Sequence, residues 1–497
     1  MLARVTASAP STSTRRLGRD ALVYALAFVL QRAASFIMLP VYTRYFSTAD
    51  YGVLQLLQTS LDVASILFSA GITAGLHRFY FRSEDREHRN AVMAGSFRLL
   101  LGMNIAGAVA LYVAAPLIAS GLLGGRANWP LVCIAATSFM LDALLTVPLL
   151  YLQAEQRSFH YAIGSMARLV VQLTLNIVFV VGLETGVVGI LWATLITHLS
   201  LGVGLAIWML RRTGIAAPKA LRRELFRFGL PYRVTAAGAF VLTYGDRFFL
   251  EDAHGLDEVG VYSMAYQFGF LLMSLGPGPF HLAWDPQRFQ LAQRPLAERE
   301  PLYQSGFFFF SVLVLTLAVG IALFVRPLLT VMSAPEFHRA ADLVPFVMAA
   351  FVCQSFGEVM DFGIQVSGKT IWTSIATWVA VVVTLIAYAL LVPPYAGLGA
   401  AAATFVGFTV RWILYRRFAQ RLFPIDYKVS RAFGLIVLAA AVVGVAFWVR
   451  PQGFFPEMAV ATAGSFVFIG LTVALVMSRD ERRTVATSIR SRLRRAA

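Results

Sequence analysis

The sequence has little charge and almost no cysteine for its length. Only 14% of its 497 residues are charged, whereas 58% are hydrophobic. A soluble domain of this size cannot hide so much apolar surface from water, but a lipid bilayer can. The two cysteines, Cys133 and Cys353, each lie inside an apolar run. We therefore expect two small buried side chains and no disulfide framework.

The patterns of common catalytic and metal sites are also missing. The seven histidines are scattered, with no second ligand at metal-site spacing. The sequence contains no Walker-type phosphate loop, no Asp-rich glycosyltransferase loop and no soluble segment large enough to hydrolyse ATP. The basic residues behind the formal charge of +16 lie in short runs between apolar stretches, which argues against nucleic acid as a partner. We expect a protein that is not an enzyme and uses no cofactor or metal.

Long hydrophobic runs dominate the sequence instead. A membrane-spanning helix needs about 20 mainly apolar residues, and fourteen runs meet that requirement. The predicted fold is therefore an all-α polytopic membrane protein with 14 transmembrane helices. The predicted spans are 20–46, 50–76, 91–120, 129–154, 159–183, 186–210, 225–248, 258–283, 303–325, 340–366, 371–392, 396–418, 431–449 and 457–477.

The basic residues predict the direction of the spans. With both termini in the cytoplasm, thirty-one Lys and Arg residues fall in cytoplasmic segments and six in outer loops. Cytoplasmic loops of membrane proteins carry such an excess, so we expect both ends to be cytoplasmic. Residues 1–18 indicate a disordered cytoplasmic tail rather than a cleaved signal peptide, and residues 479–497 indicate a basic cytoplasmic tail.

The first twelve spans contain a repeat. Arg44-Tyr45-Phe46 and Asp50-Tyr51-Gly52-Val53-Leu54, around the first turn, match Arg247-Phe248-Phe249 and Glu258-Val259-Gly260-Val261-Tyr262. Six spans per unit keep both copies in one orientation. This predicts two parallel six-helix lobes around a central cavity, a geometry suited to alternating access, plus two C-terminal helices. The predicted units are an N-lobe at 19–212, a cytoplasmic linker at 213–224, a C-lobe at 225–422 and a final helix pair at 423–478.

Several charged residues fall inside the predicted spans. Such a charge costs at least about 2.5–3.5 kcal/mol unless it has a partner or a wet cavity. Charged residues of opposite sign at similar depths in the predicted spans could form three ion pairs. These pairs would either hold helices together or take part in function. They are Arg32 with Asp62, Asp142 with Arg168, and Arg411 with Glu358 or Asp361.

Spans seven and eight carry two further signals. Arg233, Ala237, Phe240, Tyr244 and Arg247 share one helical face. This stripe is either a packed helix with snorkelling arginines or a cavity wall that attracts an anion, since guanidinium grips phosphate in a bidentate manner. In span eight, Gly276-Pro277-Gly278-Pro279 cannot continue as a regular helix, and it predicts either a hinge or an irregular helix end.

A family resemblance rests on short motifs at the ends of the spans. They are Arg32, Pro40-Val41-Tyr42-Thr43-Arg44, Asp50-Tyr51-Gly52-Val53-Leu54, Gly71-Ile72, His77-Arg78-Phe79-Tyr80, Phe228-Gly229-Leu230-Pro231 and Asp246-Arg247-Phe248. With these motifs and its fourteen spans, the chain resembles the polysaccharide (O-antigen-type) flippases of the multidrug/oligosaccharidyl-lipid/polysaccharide exporter superfamily.

The resemblance implies a protein of the bacterial inner membrane that moves undecaprenyl-pyrophosphate-linked oligosaccharide from the cytoplasmic to the periplasmic leaflet, powered by an ion or substrate gradient. Lipid-linked oligosaccharide, membrane lipids and a polysaccharide polymerase or export machinery would be its partners. On that hypothesis Arg32, Arg233 and Arg247 would meet pyrophosphate, and Asp62 would be the first candidate for a protonatable coupling group. The side chains expected to stack on sugar rings are Tyr24, Tyr42, Tyr244 and Tyr266.

Three alternatives remain open. A cation-coupled multidrug antiporter of the same superfamily would usually have twelve spans and acid-lined lobes. A flippase for the peptidoglycan lipid precursor would also have fourteen spans and a cationic cavity. A membrane-embedded polymerase or ligase would need a sizeable periplasmic loop, whereas the predicted outer loops have at most about a dozen residues.

Overall fold

The fold is a bundle of long membrane-spanning helices. The computed structural model describes residues 38–69, 71–451, 453–478 and 481–482. Within these residues, eleven helices are long and apolar enough to cross a membrane. The prediction of an α-helical, multi-pass membrane protein is therefore confirmed.

Two of the eleven helices are too long for one crossing. Lys219–His281 has 63 residues and Ile371–Leu422 has 52, whereas one crossing takes about 20. Each is interrupted by a non-helical residue, Gly255 with φ of 78° and Ala396 with φ of 47°. Each therefore contains two of the predicted spans. Most of predicted span one lies outside the described residues, so the count of fourteen stays a prediction.

The helices follow the predicted spans closely and are numbered here in chain order. They are α1 Leu39–Tyr45, α2 Thr48–Ala64, α3 Ile72–Tyr80, α4 Arg86–Leu122, α5 Trp129–Leu141, α6 Ala143–Ala154, α7 Ser158–Ile177, α8 Gly186–Thr197, α9 Val203–Thr213, α10 Lys219–Tyr244, α11 Asp246–Leu275, α12 Pro277–Leu291, α13 Leu296–Met332, α14 Ala340–Met360, α15 Phe362–Val366, α16 Ile371–Leu422, α17 Val429–Val449 and α18 Phe454–Leu471. Four helices continue into or through π-helical turns, at Ser65–Ser69, Val178–Gly182, His198–Gly202 and Thr472–Val476.

The start of α2 is fixed by its own sequence. The Ser47 side chain accepts a hydrogen bond from the Asp50 backbone N–H, and the Asp50 carboxylate accepts one from the Ser47 backbone N–H. This reciprocal capping box satisfies two backbone donors that a helix start leaves unpaired. The acidic residue of the Asp-Tyr-Gly motif therefore has a structural role.

The glycine of that motif lets the two lobes approach each other. Gly52 in α2 packs on the backbone of Leu256 in α11, and Gly260 in α11 packs on the backbone of Thr48 in α2. Gly52 meets the carbonyl group of Leu256, which lies four residues before Gly260, and Gly260 meets that of Thr48, which lies four residues before Gly52. The contact is therefore reciprocal, as across a two-fold axis. Thr48 also donates a hydrogen bond to Asp257. We call this contact the crossing; it joins the copies of the predicted repeat.

Both helices of the crossing are broken farther along. In α2 the α-helix gives way to the π turn at Ser65–Ser69, and α3 starts after Gly71, which has φ of 85°. The second break lies at Gly276, whose φ of −106° and ψ of −82° separate α11 from α12. Pro277, Gly278 and Pro279 form the first turn of α12, where proline is well tolerated. The predicted break in span eight is thus present, and its action as a hinge stays a prediction.

The last two helices pack on the second half of the bundle. Arg450, after α17, pairs with Asp342 in α14 at 2.6 Å. Glu457 in α18 lies 3.8 Å from Arg326 in α13. These polar contacts hold α17 and α18 against α13 and α14 at the crossing side of the molecule.

Substitution of Gly260 by alanine tests the crossing. An added Cβ would overlap the Thr48 carbonyl oxygen, so the helices must separate, and we expect a loss of about 1–3 kcal/mol of stability. Gly434→Ala is the control, because a Cβ at that helical position meets no atom within 4 Å. Thermal unfolding of purified protein measures both. Equal melting temperatures for the two variants would contradict the crossing.

Candidate functional site

Three carboxylates in or just after the predicted spans have partly exposed side chains. The side chains of Asp142 and Glu358 are each 37% exposed, and that of Asp285 is 40% exposed. Charged groups at membrane depth do not face lipid, because hydrocarbon cannot solvate them. Asp142 and Glu358 fall inside predicted spans, so we infer that they face a wet space inside the bundle, and we take the partly exposed charged residues as the candidate site.

On the C-lobe side, a histidine connects two helices. His281 in α12 lies with Nδ1 3.2 Å from Asp285 and with Nε2 3.7 Å from Glu358 in α14. Asp285 also pairs with Arg288 at 2.9 Å, one turn along α12. Gln354 donates a hydrogen bond of 3.3 Å to Glu358. We call this group the His281 cluster.

Arg411 does not form the predicted ion pair with Glu358 or Asp361. Its guanidinium lies over the Phe408 ring at 4.9 Å, and it acts on Glu358 only through its charge at longer range. Asp361 instead accepts hydrogen bonds of 2.6 Å from Thr373 and 2.7 Å from Gln365. The predicted direct pairing is wrong, because equal depth does not bring the side chains within reach.

The N-lobe prediction needs a similar correction. Asp142 lies 3.6 Å from Nε2 of His198 in the π turn after α8, and it accepts a hydrogen bond of 3.0 Å from Thr146. Arg168 is half-buried in α7 and acts on Asp142 at longer range. Within the described residues it forms no ion pair within 4 Å. Sequence reasoning missed both His198 and His281, since neither histidine stands in a recognisable ligand pattern.

Arg247 and Tyr266 are closed off from the wet space. Both are only 1% exposed, and the Arg247 guanidinium pairs with Asp246 at 3.0 Å and lies 4.6 Å from the centre of the Tyr266 ring. Tyr262 donates a hydrogen bond of 2.6 Å to Asp246. In this conformation the pair cannot touch a ligand, and its predicted contact with substrate stays a prediction.

The predicted stripe on span seven is continuous but partly covered. Tyr244 packs between Phe240 at 5.4 Å and the Phe270 ring of α11 at 6.0 Å, and Arg247 lies over Tyr244. Farther down α10, Arg233 stays half-exposed and donates to the Phe68 carbonyl in the π turn at 3.3 Å. Arg233, Ala237, Phe240 and Tyr244 are partly buried, and of the five stripe residues Arg247 alone is fully buried.

The other predicted site residues differ in position. Asp62 is half-buried in α2, is hydrogen-bonded to Gln58 and interacts with the charge of Arg247 across the two lobes. The Tyr42 hydroxyl accepts a hydrogen bond of 2.9 Å from Asn176 in α7. Tyr24 and Arg32 lie outside the described residues, so the predicted Arg32–Asp62 pair and the roles of these two side chains stay predictions.

The site thus combines separate charges of both signs around a wet space. Arg168 and Arg233 are half-exposed cations, and Asp142, Asp285 and Glu358 are half-exposed acids that each lie against a histidine. Among the described residues no group of three or more His, Cys, Asp or Glu side chains is placed to hold a metal ion. The arrangement suits binding of a charged solute.

Sequence comparison decides the family. The pattern described as "Polysaccharide biosynthesis protein" matches residues 17–286, which is more than half of the chain. The chain belongs to this family. Among curated proteins, none matches the sequence.

Solved structures share the fold. The lipid II flippase MurJ, in an inward closed conformation, is similar with a TM-score of 0.69 at 11% identity, over 92% of this chain and 99% of that one. An inward-facing multidrug resistance transporter of the MATE family, in the MOP superfamily, gives 0.61 at 17% identity, over 83% and 99%. A MOP superfamily transporter from Pyrococcus furiosus gives 0.56 at 16%, over 83% and 96%. This member of the polysaccharide biosynthesis family therefore has the fold of MOP superfamily transporters.

The Asp246–Arg247 pair allows a test of the closed core. Asp246→Asn leaves a buried guanidinium without its carboxylate, which we expect to cost about 3–5 kcal/mol. The double variant Asp246→Asn with Arg247→Met removes the unpaired charge and should recover most of that loss. Thermal unfolding in one detergent compares the three proteins. A double variant as unstable as Asp246→Asn would contradict the assigned pair.

Proposed function

We propose that this protein is a flippase that moves undecaprenyl-pyrophosphate-linked oligosaccharide from the cytoplasmic to the periplasmic leaflet of the bacterial inner membrane, by alternating access and with an ion gradient. The proposal rests on the partly exposed charges of both signs in the described spans, which we infer to line a wet space between lobes that meet at the crossing. A transporter of apolar solutes would not need charged residues at membrane depth, because such charges are costly. Membership in the polysaccharide biosynthesis family supports a glycan-bearing substrate.

The charge bias of the loops predicts the orientation of the protein in the membrane. The excess of Lys and Arg predicts cytoplasmic termini, which puts the start of α2, and with it the crossing, on the periplasmic side. The exposed acids and arginines lie between the crossing and the cytoplasmic helix ends. The conformation described here would then be closed to the periplasm and would receive the headgroup from the cytoplasm.

Two arginines suit the pyrophosphate in this conformation. Arg168 and Arg233 are both half-exposed and approach the space from α7 in the N-lobe and α10 at the start of the C-lobe. Guanidinium binds phosphate oxygens in a bidentate manner. The lipid tail would stay in the bilayer while the headgroup crosses between the lobes. Arg32 is predicted to join them, and Arg247 is buried in this conformation.

A multidrug antiporter is the second candidate. The three exposed carboxylates suit a cationic solute, and the MATE transporter shares the fold. An antiporter would bind cations through these acids and would not depend on Arg168 or Arg233. The two functions therefore predict opposite sensitivities to arginine substitution.

Leaflet exchange in liposomes tests the proposal. Wild type should move a lipid-pyrophosphate-linked oligosaccharide, and Arg168→Ala or Arg233→Ala should slow exchange about 10- to 100-fold, the loss expected for one charge-assisted hydrogen bond of about 1.5–3 kcal/mol. Arg227→Ala is the control, because Arg227 is exposed on the same helix six residues before Arg233.

Other outcomes separate the alternatives. If both arginine variants exchange the lipid at the wild-type rate, the flippase function would stand, but Arg168 and Arg233 would not be its pyrophosphate-binding residues. Wild type that ignores this lipid and moves the lipid-linked peptidoglycan precursor would indicate a different substrate. Exchange of an amphipathic cation, without movement of either lipid, would overturn the proposal in favour of the antiporter.

A further inference from the structure

An apolar groove runs along the surface of the second half of the bundle. It lies between α17 on one side and α14 and α16 on the other, with α13 beneath, and its volume is about 580 Å³. Within the described residues that line it, only the side chains of Cys353, Thr409 and Trp412 carry a polar atom. The Thr409 hydroxyl donates a hydrogen bond of 3.4 Å to the Cys353 sulfur. This cavity, which we call the α17 groove, therefore suits a hydrocarbon chain.

The α17 groove is open to the bilayer along the length of an acyl chain. The rings at its edges are 39–63% exposed and belong to Phe346, Phe405, Phe433 and Phe447. Fourteen residues of α17 separate Phe433 from Phe447, which is a rise of about 21 Å. One leaflet of the hydrocarbon core is about 15 Å thick, half of the whole. The groove can therefore take a chain from one leaflet over its whole length.

Charged side chains stand at one end of the groove. A smaller cavity continues the groove there, since Ala322, Val443 and Phe447 line both. Two arginines and two acids line this continuation, and we call them the charged mouth: Arg326, Asp342, Arg450 and Glu457. The charged mouth lies at the crossing side of the molecule, which the charge bias of the loops predicts to be periplasmic.

The charged mouth keeps hydrogen-bonding capacity beyond its own ion pairs. A guanidinium group has five N–H donors. Among the described residues, Arg450 donates one hydrogen bond of 2.6 Å to Asp342, and Arg326 lies 3.8 Å from Glu457 without a hydrogen bond. Both arginine side chains are at least 40% exposed. Donors for a phosphate group therefore remain at the mouth.

The charges of the mouth indicate the kind of head group that fits it. Two guanidinium groups and two carboxylates sum to zero, so the mouth has no excess of positive charge for an anionic lipid. A zwitterionic head group gives each sign a partner, because its phosphate suits the arginines and its ammonium suits the acids. The mouth therefore favours a zwitterionic phospholipid over a lipid whose linkage is an anionic pyrophosphate.

We propose that the α17 groove and the charged mouth bind one molecule of phosphatidylethanolamine, a zwitterionic phospholipid, from the periplasmic leaflet. One acyl chain lies in the groove. The phosphate accepts hydrogen bonds from Arg326 and Arg450, and the primary ammonium donates hydrogen bonds to Asp342 and Glu457. The lipid fills the gap between α17 and the helices α14 and α16. Its binding does not depend on the proposed function.

Native mass spectrometry of the full chain in mild detergent tests the site, with phosphatidylethanolamine as the probe. Wild type should retain one molecule, and phosphatidylglycerol and phosphatidylcholine should each bind about 10-fold more weakly. The first lacks the ammonium, and the ammonium of the second has no N–H donor, so both lose the charge-assisted hydrogen bonds to the acids. Equal retention of the three lipids, or retention of none, overturns the proposal.

Two variants fill the groove. Gly444 and Ala440 both line it, so Gly444→Leu and Ala440→Leu should each lower retention at least about 10-fold, because a chain shut out of the groove loses several buried methylene groups. Gly434→Leu is the matched control, because Gly434 lies in the same helix outside the lining. A Cβ at either glycine meets no atom within 4 Å. Wild-type retention in both groove variants overturns the proposal.

One variant tests the charged mouth at an exposed position. Arg326→Gln removes a phosphate donor and should lower retention of phosphatidylethanolamine about 10-fold. Arg126→Gln is the control, because Arg126 is an exposed cation on the same side of the N-lobe, and it should bind as wild type does. Unchanged retention in Arg326→Gln overturns the proposal.

Other occupants of the groove give different results. Displacement of phosphatidylethanolamine by an equimolar amount of undecaprenyl phosphate overturns the proposal, in favour of the tail of the transport substrate. Dimers that form without lipid and are lost in Gly444→Leu overturn it in favour of a second copy of this chain. The measurement involves no transport, so its failure leaves the proposed function standing.

Discussion

A charged side chain inside a bilayer costs at least about 2.5–3.5 kcal/mol, and this protein keeps several of them between its helices. The structure meets the cost in two ways. Asp246 and Arg247 form a buried ion pair, and the Tyr262 hydroxyl donates a hydrogen bond to the Asp246 carboxylate. The side chains of Asp142 and Glu358 instead stay partly exposed. The second solution requires a wet space in the bundle, and the proposed function depends on that space.

The backbone determines on which side the space closes. Two glycines bring α2 and α11 into backbone contact at the crossing, and larger residues at these positions would hold the lobes apart. Beyond the crossing both helices are interrupted, α2 by its π turn and Gly71, and α11 by Gly276. Breaks of this kind are tolerated at membrane depth where the freed backbone groups are buried in protein or line a cavity. The carbonyl of Phe68 in the π turn accepts a hydrogen bond from Arg233.

Much of the fold could be predicted from the sequence because its causes are local. The lengths of the hydrophobic runs predict the spans, and the Gly276-Pro277-Gly278-Pro279 run predicts the break at Gly276. The repeat of the Tyr-Gly motif near Gly52 and its counterpart Gly260 gives the equivalence of the two helices, although it does not reveal that these glycines touch. The π turn in α2 has no comparable signal, because its residues are ordinary helix formers in an apolar run.

The pairing of charges could not be predicted in the same way. Depth along a span places two residues at one level, but it does not give the rotation of each helix about its axis. Asp142 was therefore assigned to Arg168 on the next span, whereas its partner is His198 two spans away. The spacing of Arg247 and Arg233 allows either a packed helix or a cavity wall, and it does not reveal that α11 covers the Arg247 end of the stripe and that the adjacent Asp246 pairs with the guanidinium.

Accessibility of single cysteines tests the wet space most directly. In a background without Cys133 and Cys353, one cysteine is placed at Arg168, which is half-exposed toward the space, and another at Tyr262, which is buried in the core. A membrane-impermeant maleimide is then applied from either side of oriented vesicles. The cysteine at Arg168 should react from the cytoplasmic side alone, and the cysteine at Tyr262 should not react. A cysteine at Arg168 that reacts from neither side, or only from the periplasmic side, would contradict a charged space that is open to the cytoplasm.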